Sequence, residues 1–164
     1  LHSFPTRRSS DLYKVYDLPT ASARIFSAYG PGLRRQVMWD ICHKAIIQKS
    51  VMLQGTGQES RDFIHAVDIA KALFLIATTA PMIGESYNIA TEREVTISEL
   101  ASHVLDSLDY EELPKFDGTV PVGNPLNWRA DISKLRSLGF SPTVSLEKGV
   151  NTFSNWCRAE LVGV

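Results

Sequence analysis

The residues best equipped for chemistry in this chain lie in the run Gly55-Thr-Gly-Gln-Glu-Ser-Arg-Asp-Phe-Ile-His-Ala-Val-Asp68, which joins a glycine turn, a cation and an anion at Arg61 and Asp62, a short apolar stretch and a helix start. The spacing Gly55-x-Gly57-x-x-Ser60 lacks only the third glycine of a dinucleotide fingerprint. That fingerprint works because a helix opens directly after the glycines and turns its N-terminus toward a pyrophosphate. Here the glycines lead into Asp62-Phe-Ile-His65, a strand pattern, so the dinucleotide reading is rejected. Arg61 has two candidate roles. One is a solvated or Asp62-paired surface residue worth little to stability. The other is a planar cation aimed at a phosphate or carboxylate, for which the fixed fork of arginine suits better than lysine. Composition alone does not choose between them.

The other reactive side chains point to structure. His43 falls on the charged side of an amphipathic pattern and His103 beside an apolar stripe, so a surface and a structural role are expected and no metal site. Cys42 and Cys157 are far apart in sequence, each inside an apolar helical pattern and without the paired spacing of a zinc or redox motif, which predicts buried free thiols.

These residues need elements to position them. Val51 to Gln54 has strand preference, and Gly55 to Ser60 supply turn chemistry that would fold Asp62 to Ala66 back on it as a hairpin, leaving Arg61 at the mouth of the turn. Upstream, Thr20 to Ala28 reads as a strand with small residues suited to a place between helix layers, and Gly30-Pro31-Gly32 as a type II turn. Leu33 to Lys49 carries the apolar rows of an amphipathic helix, with Arg34, Arg35, Lys44 and Lys49 on its solvated side.

Downstream, Asp68 reads as the N-cap of a helix, and Ile69 to Thr79 is apolar nearly all round, which predicts burial. Ser86 to Ala90 and Glu94 to Ile97 read as strands, with Thr96 and Glu99 spaced as a capping box for the next helix. Tyr110 to Asn127 is aperiodic. Asp131 then caps a short helix through Leu138, and Ser145 opens the last helix. Leu1 to Leu12 shows neither period and resembles the translation of a sequencing-library adapter. It is expected to be a non-native leader without structure, leaving 13–164 as the folded part.

At 164 residues, 44% hydrophobic and 21% charged, the chain has the size and composition of one soluble domain. A net charge of -1 and a pI near 6.5 provide no basic field, so neither nucleic acid nor an acidic membrane is expected as a partner. No apolar run approaches the roughly 20 residues of a membrane span, and the N-terminus has no apolar signal region, so the expected address is the cytosol.

Arg24-Ile-Phe-Ser-Ala-Tyr-Gly-Pro-Gly32, followed after a helix by the Gly55 to Asp68 run, resembles the carboxy-terminal half of the extended short-chain dehydrogenase/reductase family, the NAD-dependent nucleotide-sugar epimerases and dehydratases. Two motifs in the family's order carry the resemblance, which extends over roughly Leu12 to Leu161. It implies an α/β fold: the C-terminal part of a Rossmann-type doubly wound sheet plus the small α/β substrate-binding domain. It also implies a nucleotide-sugar substrate, NAD or NADP as cofactor of the parent protein, and a parent that is a homodimer.

The family's glycine-rich cofactor turn and its Tyr-x-x-x-Lys pair, in which lysine lowers the tyrosine pKa for proton exchange at a sugar hydroxyl or carbonyl, do not occur in this sequence. The chain alone is therefore expected neither to hold the cofactor nor to catalyse, and no catalytic residue is assigned. The substrate side is carried over residue by residue. Ser27 stands where relatives commonly have an asparagine that bonds the nucleotide diphosphate. Gln36 and Val37 match the helix-entry positions that approach the sugar nucleotide, and Arg61 matches the arginine that grips its diphosphate. Pro121-Val-Gly-Asn124 departs from the Arg-x-Gly-Asp of many relatives, with Arg129 either a nearby substitute or a surface residue. The expected function is that of a fragment of an NAD(P)-dependent nucleotide-sugar epimerase, dehydratase or reductase supplying the diphosphate-binding side. The alternative is a binding or regulatory relative that has lost catalysis.

Overall fold

The computed structural model describes residues 4–119, 123 and 125–163, with side chains from residue 9 onward. Small residues let β1 (Thr20–Ile25) lie in parallel beside β5 (Ile83–Ile89). The strand expected over Thr20 to Ala28 breaks at Phe26, whose N–H donates to the Ile89 carbonyl at 3.1 Å. The chain resumes in a second sheet as β2 (Ser27–Tyr29), parallel to β4 (Ser60–His65). The other edge of β4 pairs antiparallel with β6 (Glu94–Thr96), so β4 is the central strand, consistent with its run of buried side chains.

The hairpin expected around Gly55 does not form. β3 (Met52–Leu53) pairs instead with β7 (Lys115–Phe116). The cause lies in the loop, where the Glu59 carboxylate turns back and accepts from Thr56 N (3.0 Å), Gly57 N (2.9 Å) and the Thr56 hydroxyl (3.1 Å). A loop closed by its own side chain need not set its flanks side by side. Gly57 also lies under Phe116, where an added Cβ would come within 2.7 Å of the ring.

At the turn after β2, Leu33 N donates to the Gly30 carbonyl (3.2 Å) and Gly32 has φ 96°, the backbone that the Gly-Pro-Gly spacing requires. α2 (Gln36–His43) continues as a π-helical turn, Lys44–Gln48, closed by Lys49 at φ 54°. α3 (Ala66–Thr79) starts earlier than expected because His65 is its N-cap, Nδ1 accepting from Val67 N at 3.2 Å. Asp68 is not the cap. It sits fully buried in the first turn and accepts from Thr143 N, Val144 N (both 2.9 Å) and the Thr143 hydroxyl (2.7 Å), fastening α3 to the segment before the last helix. The expectation that α3 is buried all round is corrected too: Ile69, Ala72 and Ile76 face inward, while Val67, Leu73 and Phe74 are exposed.

Thr96 caps α4 (Ile97–Ser107) by accepting from Glu99 N, as its spacing predicts. In α5 (Ser133–Arg136) the cap position is Ile132, with the Asp131 carboxylate accepting from Ser133 N (2.8 Å) one residue earlier than the expected geometry. Ser145 caps α6 (Leu146–Val162). One core gathers residues such as Met38, Ile41, Val104 and Phe153 between α2, α4 and α6. The other gathers Ile64, Ile76, Tyr87 and Leu135 around β4, β5, α3 and α5. Cys42 and Cys157 are buried free thiols, as expected.

Of the span expected to lack structure, residues 4–12 fall in α1 (Phe4–Tyr16), which packs on β1 and β5, and residues 1–3 lie outside the described residues. Ser9 is buried, its hydroxyl 2.5 Å from that of Ser22, and its carbonyl accepts from the Thr20 hydroxyl at 2.7 Å. Gly84 admits the helix backbone, since a Cβ there would lie 2.6 Å from the Ser10 Cα. A helix docked through serines onto a glycine leaves no apolar period in its sequence.

Candidate functional site

A cavity of about 640 Å³ opens where β2, β4, the start of α2 and the Gly55 loop meet, a volume ordinary for a small-molecule site. Its wall includes Ser27, Gln36, Val37 and Arg61, the four positions singled out from the sequence. Strand geometry brings two of them together. Ser27 pairs with Phe63 in the parallel register, and Arg61, two residues before Phe63, shares its face of β4.

The same alternation sends Asp62 the other way. Its fully buried carboxylate accepts from Thr91 N and the Thr91 hydroxyl (both 2.8 Å), Glu92 N (3.0 Å) and Ala130 N (3.2 Å). The Asp62-paired alternative for Arg61 is thereby excluded. Arg61 Nη1 instead donates to the carbonyls of Ser60 (2.6 Å) and Pro125 (2.9 Å), and its guanidinium lies 5.7 Å from the ring centre of Trp128. Trp128 in turn lies 5.7 Å from Phe26. Both aromatics line the cavity, and neither was singled out from the sequence. Trp128 lies just past an aperiodic segment, where only its type, a bulky aromatic that stacks on arginine, hinted at a role.

The second polar feature is the start of α2. Its N-cap, Arg35, makes no side-chain cap bond, so the N–H groups of the first turn keep a partial positive charge. Gln36 holds φ 69°, a left-handed backbone uncommon outside glycine and of the kind that collects at functional sites.

Two carboxylates also line the cavity. Glu59 is held below the usual carboxylate range, chiefly by the Thr56 N–H, against burial that pushes it up. Asp40 is half-buried, its Oδ2 taking the Lys44 ammonium at 2.6 Å, and Lys44 also donates to the Met52 carbonyl at 2.7 Å. Arg129 is not among the lining residues; its Nε donates to the Glu92 carbonyl at 3.0 Å. The departure at Pro121 to Asn124 lies outside the described residues except for Gly123. Among the described residues no cluster of three His, Cys, Asp or Glu could hold a metal, and no helix is long and apolar enough to cross a membrane.

The model of the NAD dependent epimerase/dehydratase family matches residues 10–90. GDP-L-fucose synthase 1 of Arabidopsis thaliana is 38% identical over 109 residues, covering 66% of this chain and 33% of that protein. Among solved structures, the epimerase Mth375 of Methanothermobacter thermautotrophicus aligns with a TM-score of 0.87 at 23% identity, over 96% of this chain and 49% of that one. WbmF of Bordetella bronchiseptica, in complex with NAD+, aligns with a TM-score of 0.82 at 29% identity, over 98% of this chain and 52% of that one. These likenesses bear out the α/β, Rossmann-type fold class. The chain spans a third of the length of the first of these proteins and about half of the two solved chains. The Gly55 loop itself does not fit a dinucleotide. The N–H groups that the Gly55 loop would offer a pyrophosphate are engaged by Glu59, and a strand follows the loop.

Proposed function

Because this chain belongs to the NAD dependent epimerase/dehydratase family, we propose that it supplies the side of an NAD(P)-dependent nucleotide-sugar epimerase, dehydratase or reductase that binds the substrate's diphosphate. One observation carries the reading: Ser27, Gln36, Val37 and Arg61, drawn from β2, α2 and β4, line a single cavity of ligand size. Arg61 is the anchor, a planar cation able to bond two phosphate oxygens at once. The uncapped first turn of α2 adds backbone donors suited to an anion, and the Ser27 hydroxyl adds one more. No step of the reaction is assigned to residues of this chain.

Calorimetric titration of the chain with nucleoside diphosphates tests the anchor. Arg61→Ala should weaken binding by about 2 to 5 kcal/mol, at least roughly 30-fold in affinity, and Arg61→Lys should restore only part of it. Arg34→Ala is the control, because Arg34 is exposed, ion-paired with Glu160 and absent from the cavity wall, and its loss should cost under about 0.5 kcal/mol. Equal losses at the two arginines would remove Arg61 from this role.

A further inference from the structure

Two carboxylates line the cavity, and they are not equivalent. Both oxygens of Glu59 are engaged by its own loop, Oε1 by Thr56 N and the Thr56 hydroxyl, Oε2 by Gly57 N. Asp40 is engaged on Oδ2 alone, by Lys44, and Oδ1 carries no hydrogen bond among the described residues. The Lys44 ammonium ties Asp40 to the Met52 carbonyl, so the carboxylate stands beside β3, where Leu53 and Gln54 continue the cavity wall. Arg61 belongs to a different stretch of that wall, on β4 beside Trp128 and Phe26. Arg61 and Asp40 thus line different stretches of one cavity, which leaves a nucleotide held at Arg61 by its diphosphate the rest of that wall for its base.

An acceptor-only group held in place by lysine discriminates among bases by their edges. Guanine offers N1–H and N2–H side by side, two donors that can meet Oδ1 and the lone pair that Lys44 leaves on Oδ2. Uracil and thymine offer one N–H flanked by two carbonyl oxygens, one of which must then face the carboxylate. Adenine offers its amino group beside a bare ring nitrogen. From this geometry we propose that the cavity selects guanine nucleotides and that Asp40 is the residue that reads the base. The proposal rests on the nucleotide reading of the cavity and adds the class of nucleotide.

The probes are GDP, IDP and UDP, titrated calorimetrically into the chain and into Asp40→Asn and Arg61→Ala. IDP keeps N1–H and lacks the 2-amino group. GDP should bind about ten-fold tighter than UDP, the scale of one good bidentate base contact, with IDP between them. Asp40→Asn, whose amide can turn to present either a donor or an acceptor, should bring the three ligands within about three-fold of one another. Arg61→Ala should weaken all three alike and leave their ratio intact. UDP binding as tightly as GDP, or an unchanged ratio in Asp40→Asn, would overturn base selection while leaving the diphosphate anchor standing. A chain that binds none of the three would overturn both.

Discussion

At the residue scale, what could be read in advance followed from motif membership. Ser27 and Arg61 could be singled out because they stand at fixed places in two short runs, and Gln36 and Val37 because they match the helix entry between those runs; the cavity wall contains all four. Asp40, Phe26 and Trp128 were not, because an acid on a helix face and two aromatics carry no spacing that marks a wall. His65 was read only as part of a strand, yet it caps α3 and its Nε2 is buried with no hydrogen-bond partner among the described residues. Burial holds its pKa below the usual imidazole value, against the opposing charge of Asp68. The sign of the consequence follows: the unfolded chain takes up a proton near pH 6.5 while the folded chain does not, so stability is full above about pH 6.5 and falls as the pH drops below it. Protonation would also cost Nδ1 its acceptor role at the cap. His65→Asn keeps a cap acceptor that does not titrate, so its melting temperature should change less than the parent's between about pH 7.5 and about pH 5.5. Parallel melting curves for the two proteins would remove His65 from this role.

At the element scale, existence was easier to read than partnership. β4, β5, α4 and α6 announced themselves through apolar period and caps, with Thr96 and Ser145 where their spacing placed them. Strand pairing was misread, since Gly55 to Ser60 has hairpin composition and only the Glu59 side chain reveals that the loop closes on itself. α1 was missed because serines against Gly84 and Ser22 have no hydrophobic signature. A similar close approach seats α6 on the sheet: a Cβ on Gly149 would lie 2.1 Å from the Tyr29 hydroxyl oxygen. Tyr29 is wedged against Phe63 and His65 and has little room to retreat. Gly149→Ala, favourable by helix propensity alone, should therefore destabilise by about 1 to 3 kcal/mol in chemical denaturation. A stabilised variant would show that α6 is not seated through this contact.

At the scale of the whole molecule, the described chain presents surfaces suited to cover. β1 pairs with β5 and, among the described residues, with no strand on its other edge. Ile25 of that strand is exposed, as are Val67, Leu73 and Phe74 on α3. Open edges and apolar patches promote association, so sedimentation of the isolated chain should show average mass rising with concentration. Leu73→Lys with Phe74→Glu should reduce that rise. A parent that stays monomeric across the same range would mean these surfaces are tolerated bare. The exposed residues came from the burial pattern, because the apolar run over Ile69 to Thr79 reads in sequence as a buried helix.

The central claim is that the wall shared by β2, β4 and the start of α2 receives a nucleotide diphosphate. The most direct measurement is a nitrogen–proton correlation spectrum of the labelled chain, recorded with increasing nucleoside diphosphate and observing both arginine side chains and backbone amides. The account predicts saturable shifts of the Arg61 side chain and of the Gln36 and Val37 amides with one common affinity, while Arg34 stays still. Saturable shifts elsewhere on the chain, with Arg61 and the α2 start unmoved, would contradict it.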